Sequence, residues 1–202
     1  MRDCPINAFL FWKVPREKVS EFKFYEFLRD YHQKDNKHNP KANTNGTEDI
    51  IAILDGQQRM TSLYIALKGT YAYKMSYKRW DNPAAYPKRK LYLNLLAASD
   101  DADMFYDFLF LTEEEAKNIK FWFPVGKILD FREESDVNDY LIDNDLNTVA
   151  DKAQAKFANK ALFKLYSVIH NKQTISYYLE ESTELDKVLN IFIRVNSGGT
   201  TL

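Results

Sequence analysis

Asp55-Gly56-Gln57-Gln58-Arg59 gathers an acid, a glycine, two carboxamides and a guanidinium within one short run. Ahead of it lie Ile50-Ile51-Ala52-Ile53-Leu54, apolar or small throughout. Behind it Met60, Leu63, Tyr64 and Leu67 recur at helical spacing. That pattern predicts a buried strand, a glycine turn and an amphipathic helix reaching to about Tyr73. The first N–H groups of such a helix lack intrahelical partners, and its dipole is positive at that end. With Arg59 in the first turn, the chemistry on offer is anion binding, with phosphate the leading candidate. Gln57 and Gln58 add paired donors and acceptors that a helix start does not itself require. A plainer reading uses the same residues structurally: Asp55 caps the helix, Gly56 relieves the turn and Arg59 pairs with a neighbour.

Three other runs carry chemical side chains. Arg194-Val195-Asn196-Ser197-Gly198-Gly199 follows Leu185, Val188, Leu189 and Phe192, which keep helical spacing after a possible capping box at Thr183 and Asp186. Gly-Gly there reads as a C-cap, or as a backbone nest for an anion. Between Lys68 and Tyr92, the cations Lys74, Lys78, Arg79, Lys88 and Arg89 alternate with tyrosines and Trp80. Such a mixture suits a nucleic-acid surface, by phosphate attraction and base stacking. It equally suits a solvated loop with tyrosines packed beneath it. Asp100, Asp101, Asp103 and Asp107 read as a solvated turn rather than a divalent-ion site. His32, His38 and His170 have no cysteine or paired histidine at ligand spacing, so no metal site is assigned.

The run DGQQRMTSLY from Asp55 resembles the signature of the N-terminal domain of GmrSD-type restriction proteins. Ile191 to Leu202 resembles that family's later F-x-R-x-N-x-G-G-T-x-L motif. Two long motifs in the family's order extend the resemblance over nearly the whole chain. It implies an α+β fold with a mixed-sheet core like ParB-type nucleases and sulfiredoxin, carrying an added helical half. It implies binding, and hydrolysis, of a nucleoside triphosphate with Mg²⁺, coupled to control of DNA cleavage. Cleavage itself is implied to reside in a separate HNH-type nuclease domain or subunit. In that reading Gly56, Gln57, Gln58, Arg59 and Thr61 hold phosphate, and Asp55, Gln58 and Arg59 do the chemistry. Arg194, Asn196, Ser197, Gly198 and Gly199 close the pocket from the far side. An alternative keeps the pocket but makes it a sensor of nucleotide or modified DNA without turnover. The family also implies an earlier segment with an Arg and aromatics, and further chain after Leu202.

The bulk properties bound these readings. At 202 residues the chain is long enough for a real core, and 45% hydrophobic with 28% charged residues is ordinary for a globular protein. A net charge of −1 gives no global attraction to nucleic acid, so any contact must come from a local patch. The single cysteine, Cys4, excludes an intrachain disulfide and suits a reducing cytoplasm. No apolar run has the length of a membrane span.

The remaining pattern supplies scaffolding. Pro5 to Val14 reads as a first strand ended by Pro15, and Lys18 to Tyr31 as a helix. Lys34 to Thr47, rich in Asn, reads as a loop. Arg89 to Leu96 reads as a strand, and Thr112 to Glu115 as a capping box opening a short helix. Phe121 to Leu129 is an aromatic segment. The chain turns helical near Val137, with Ala158, Ala161, Leu162, Leu165, Tyr166 and Ile169 on one stripe. Ile175, Tyr177 and Leu179 mark a last short strand. A compositional shift near Phe131 suggests a core over 1–130 carrying the first motif and a helical extension over 131–202.

Overall fold

β-branched and aromatic side chains from Ile6 to Val14 form the first strand, and Pro15, which has no N–H to give a ladder, ends it. The computed structural model describes residues 6–46, 48–118, 121–149 and 151–197. After β1 (Ile6–Val14) come β2 (Asp30–His32), β3 (Ile50–Asp55), α1 (Gln57–Lys68), β4 (Thr70–Ala72), β5 (Lys90–Ala98) and β6 (Tyr106–Leu111). Then follow α2 (Glu113–Asn118), β7 (Trp122–Pro124), α3 (Ser135–Asp143), α4 (Leu146–Val149), α5 (Lys152–Tyr166), β8 (Ile175–Glu180) and α6 (Leu185–Ser197). The class is α+β, as expected. The chain divides into two compact units, each assembled from separate stretches, and the shift near Phe131 falls inside one of them.

One unit holds residues 29–37 and 63–173. Its main sheet has the order β6-β5-β7, antiparallel throughout. Leu93 and Leu95 of β5 and Phe123 of β7 are fully buried with Ile128, Leu141 and Leu162. The expected stripe on α5 supplies Ala158, Ala161, Leu162 and Tyr166 to this core. Asp151 caps α5 in a full capping box with Gln154. Thr112 and Glu115 form the expected box at α2: the Thr112 N–H donates to Glu115 Oε2 at 2.7 Å, and the Glu115 N–H to Thr112 Oγ1 at 3.1 Å. Burial pushes the Tyr140 phenol up to about 12.

The other unit holds residues 2–28, 38–62 and 174–202. Its sheet has the order β3-β1-β8, with β3 antiparallel and β8 parallel to the central strand. Trp12, Val14, Val19 and Val188 are buried together, and Phe22, Phe24, Ile50, Ala52 and Leu54 pack on them. Because β3 is an edge strand, it is less buried than an apolar run suggests, and Ile51 is 60% exposed. Glu180, at the end of β8, is buried. Its carboxylate accepts from the Ser182 N–H at 2.8 Å, Lys187 Nζ at 3.3 Å and the Tyr178 hydroxyl at 3.3 Å. The Ser182 N–H leads in holding this carboxyl below its ordinary range, against the opposing effect of burial.

Two expected helices differ. Lys18 to Tyr31 is not a helix: a 3-10 turn over Arg16–Glu21 is followed by extended chain. Phe22 and Phe24 sit two apart, as extended chain requires, and both pack on the Trp12 cluster, the Trp12 and Phe22 rings 5.0 Å apart. The Ala42 N–H donates to the Phe24 carbonyl, and the Glu26 N–H to that of Pro40, both at 2.9 Å. Further on, Asp30–His32 pairs with β4. The second difference is α1, which ends at Lys68 rather than near Tyr73. A side chain at Gly69 would collide with the Arg29 carbonyl oxygen, which instead accepts from the Thr70 N–H at 3.2 Å. Thr70–Ala72 then leaves as β4, with the Tyr31 and Tyr71 rings stacked at 4.7 Å.

Candidate functional site

The turn between β3 and α1 is built so that only glycine fits its middle. Gly56 has φ +90°, a region that side chains disfavour. A Cβ there would lie 2.5 Å from Phe9 Cδ1 and 3.1 Å from Arg59 Nη2. Phe9 comes from β1, where register sets Leu10 opposite Asp55. The bare backbone of Gly56 therefore lets the Phe9 ring and the Arg59 guanidinium close over the turn. The Arg59 guanidinium carbon stands 4.8 Å from the Phe9 ring centroid, a cation–π arrangement.

Arg59 is tied on two sides. Its Nη2 donates to Asp55 Oδ2 at 2.9 Å and to the Ala8 carbonyl at 3.2 Å. Both charged side chains remain about one-third exposed (Arg59 33%, Asp55 28%). Gln57 Nε2 donates to the Ile53 carbonyl at 2.9 Å, so its amide folds back on β3. Gln58 is exposed, its carbonyl accepting from Ser62 Oγ at 2.9 Å, and Thr61 is half-buried. The first helical bond runs from the Met60 N–H to the Gly56 carbonyl. The N–H groups before it are those a helix cannot satisfy internally. Nothing acidic lies in the first turn of α1 to oppose an incoming anion.

The structural reading of these residues, that Arg59 pairs with Asp55, is thus part of the geometry, and it does not exclude the chemical one. The Asp55 carboxylate is the anion that meets the guanidinium in this structure. The Ala8 carbonyl and the Phe9 ring, which hold Arg59, were not legible as site parts. A backbone carbonyl leaves no trace in composition, and Phe9 read only as strand.

The residues expected on the far wall lie at the end of α6 or beyond it. Arg194 is exposed in the last turn of α6. Asn196 and Ser197 continue that helix, while Gly198 and Gly199 lie outside the described residues.

The cationic stretch is altered by one residue. Arg89 is only 5% exposed: its Nη1 donates to the carbonyls of Pro87 at 3.2 Å and Tyr73 at 3.3 Å, and its guanidinium stacks 4.0 Å from the Tyr73 ring. It is a structural cation and leaves the proposed surface. Lys78, Arg79 and Lys88 are exposed, and Lys74 Nζ lies 5.3 Å over the exposed Trp80 ring. Tyr77, in the same loop, is fully exposed with φ 62°. Tyr86 and Tyr92 are buried.

Two of the three histidines, His32 and His170, have structural partners. His32 Nδ1 accepts from the Asp35 N–H at 3.1 Å, and His170 Nε2 meets the Ile128 carbonyl at 2.8 Å. Among the described residues, no three His, Cys, Asp or Glu gather as a metal cluster. Nor, among them, is any helix long and apolar enough to cross a membrane.

The class of domain is α+β, with a glycine turn opening a helix and an arginine clamped at that turn. Its family is more definite: over residues 1–202 the chain matches the GmrSD restriction endonuclease N-terminal domain, and it belongs to that family. No individual protein of curated function matched it.

Proposed function

We propose that this domain binds a nucleoside triphosphate by its phosphates at the β3–α1 turn, and that binding regulates nucleic-acid cleavage by a restriction protein's nuclease domain. The observation that carries the reading is the Gly56 turn. It sets the N-terminal end of α1, where the helix itself supplies no acceptor for its first N–H groups, beside an arginine already held by an internal anion, Asp55. Membership of a restriction-endonuclease family supplies the setting. The HNH-type partner and action on DNA rest on that membership.

In this reading a phosphate displaces the Asp55 carboxylate from Arg59 and takes the charge-assisted bonds. The freed carboxylate fits Mg²⁺, which binds through one or two carboxylates plus phosphate oxygens and would neutralise charge on the phosphates. Gln58, exposed at the helix start, orients the terminal phosphate or a water. Gln57 and Thr61 complete the near wall. Arg59 stabilises charge on the transferred phosphoryl group.

Arg194, Asn196, Ser197, Gly198 and Gly199 form the far wall. Strand register supports this. Val188 packs with Trp12 and Val14, while Asp55 pairs with Leu10, at the middle of β1. The helix from Val188 to Ser197 spans about 14 Å, and the strand from Val14 to Leu10 about 13 Å. In this reading α6 runs back along the sheet, and these matching lengths then bring its C-terminal end to the turn.

A second reading, sensing without turnover, is favoured by the Asp55–Arg59 pair itself, because a swap of partners is a switch that needs no bond cleavage. Phosphate release from each NTP with Mg²⁺, for the intact chain and Arg59→Ala, separates the two. Release that Arg59→Ala abolishes supports the enzyme. Saturable binding without release supports the sensor. Binding and release untouched by the substitution would remove the site assignment.

A further inference from the structure

We infer that the cavity beside this turn receives the base and sugar of the nucleoside triphosphate, an inference that rests on the phosphate reading of Asp55–Arg59. The cavity measures about 450 Å³ and lies wholly within the unit that carries the turn. That volume is typical of small-ligand sites, which run roughly 300–1,000 Å³. Gln57 is one of its walls and also the first residue of α1, so cavity and phosphate turn share a side chain.

The other walls suit a flat heterocycle. Ile51 and Ile53 come from β3, which is an edge strand among the described residues; the Ile53 carbonyl already accepts from Gln57 Nε2. Such an edge offers alternating donors and acceptors, the pattern with which the rim of a base pairs. Tyr25 is 59% exposed and Phe24 lies beside it, giving ring surface for stacking. Asn43 is a further lining residue. Its Oδ1 accepts from the Asn45 N–H at 3.1 Å, which orients the amide and leaves the NH₂ as the group it offers.

The Asn-rich segment explains why the cavity exists. It does not add itself to β3. Its backbone pairs with 24–26 instead, through the Phe24–Ala42 and Glu26–Pro40 hydrogen bonds and the Tyr25–Lys41 bridge. Residues of that segment and of the sheet edge line the same cavity.

The test compares ATP, GTP, CTP and UTP with inorganic tripolyphosphate, each with Mg²⁺, by calorimetric titration of the 202-residue chain, Tyr25→Ala, Tyr25→Phe and Arg59→Ala. The expected result is that at least one NTP binds more tightly than tripolyphosphate. Tyr25→Ala then weakens that NTP roughly ten-fold or more and leaves tripolyphosphate unchanged. Tyr25→Phe retains the preference, and Arg59→Ala weakens both probes. The base site is overturned, with the phosphate site intact, if no NTP outbinds tripolyphosphate or if Tyr25→Ala binds NTPs as the parent does. If neither probe binds the folded chain, the phosphate reading fails and the base site falls with it.

Discussion

Arg59 is the residue on which the account turns, because it is both held and replaceable. Its partner Asp55 is an internal anion at 2.9 Å, so an external phosphate that takes this bond displaces the carboxylate. Asp55→Asn removes the competitor. It is expected to tighten tripolyphosphate binding without metal and to weaken the dependence of NTP binding on Mg²⁺, both readable by titration with and without a chelator. Gly56→Ala addresses the turn itself. The left-handed φ and the approach of Phe9 give a cost of about 1–3 kcal/mol in unfolding free energy, to be measured by urea denaturation. The acid, glycine and arginine of this turn were legible from residue types and spacing. What holds the arginine was not, because it depends on which part of β1 meets Asp55, a register that no local pattern encodes. Arg89 shows the opposite failure: a cation in a basic run that is consumed by two carbonyls and a tyrosine ring.

At the scale of elements, strands with β-branched and aromatic runs and helices with capping signals were readable. β1, β3, β5, α2 and α5 lie where their patterns put them. The segment from Lys18 to Tyr31 was misread because Phe24, Phe27, Leu28 and Tyr31 fit a helical period while Phe22 and Phe24 fit an extended one. Tertiary packing against Trp12 decided between them. α1 overran in expectation because Gly69 is a weak breaker in sequence and a strict one in space. Asp151→Ala should cost about 1 kcal/mol by loss of the α5 capping box, seen as a lower denaturation midpoint. Glu180 gives the pH signature of the β8–α6 connection. Its folded carboxyl is depressed below the ordinary value of 4.5. The stability it contributes is therefore present above pH about 4.5 and lost as pH falls through the lower folded value. Glu180→Gln should flatten that acid limb, measured as unfolding midpoint against pH.

At the scale of the molecule, the family was legible from two motifs, and the α+β class from what that resemblance implies. The interleaving was not. β8 follows the helical stretch in sequence yet pairs with β1, and such long-range pairing leaves no local mark. The basic loop with exposed Tyr77, Lys78, Arg79 and Trp80 belongs to the other unit, and it is where nucleic-acid contact is expected. Lys78→Ala with Arg79→Ala should reduce the slope of log affinity against log salt by about 2, measured on duplex and single-stranded DNA. No change in that slope would move the contact elsewhere. The central claim, that the β3–α1 turn is a triphosphate site clamped by Arg59, is tested most directly by NTP titration of the intact chain beside Arg59→Ala, with both shown folded. Saturable binding weakened at least about ten-fold by the substitution is the predicted result. Equal binding by the two proteins, or none by either, would contradict it.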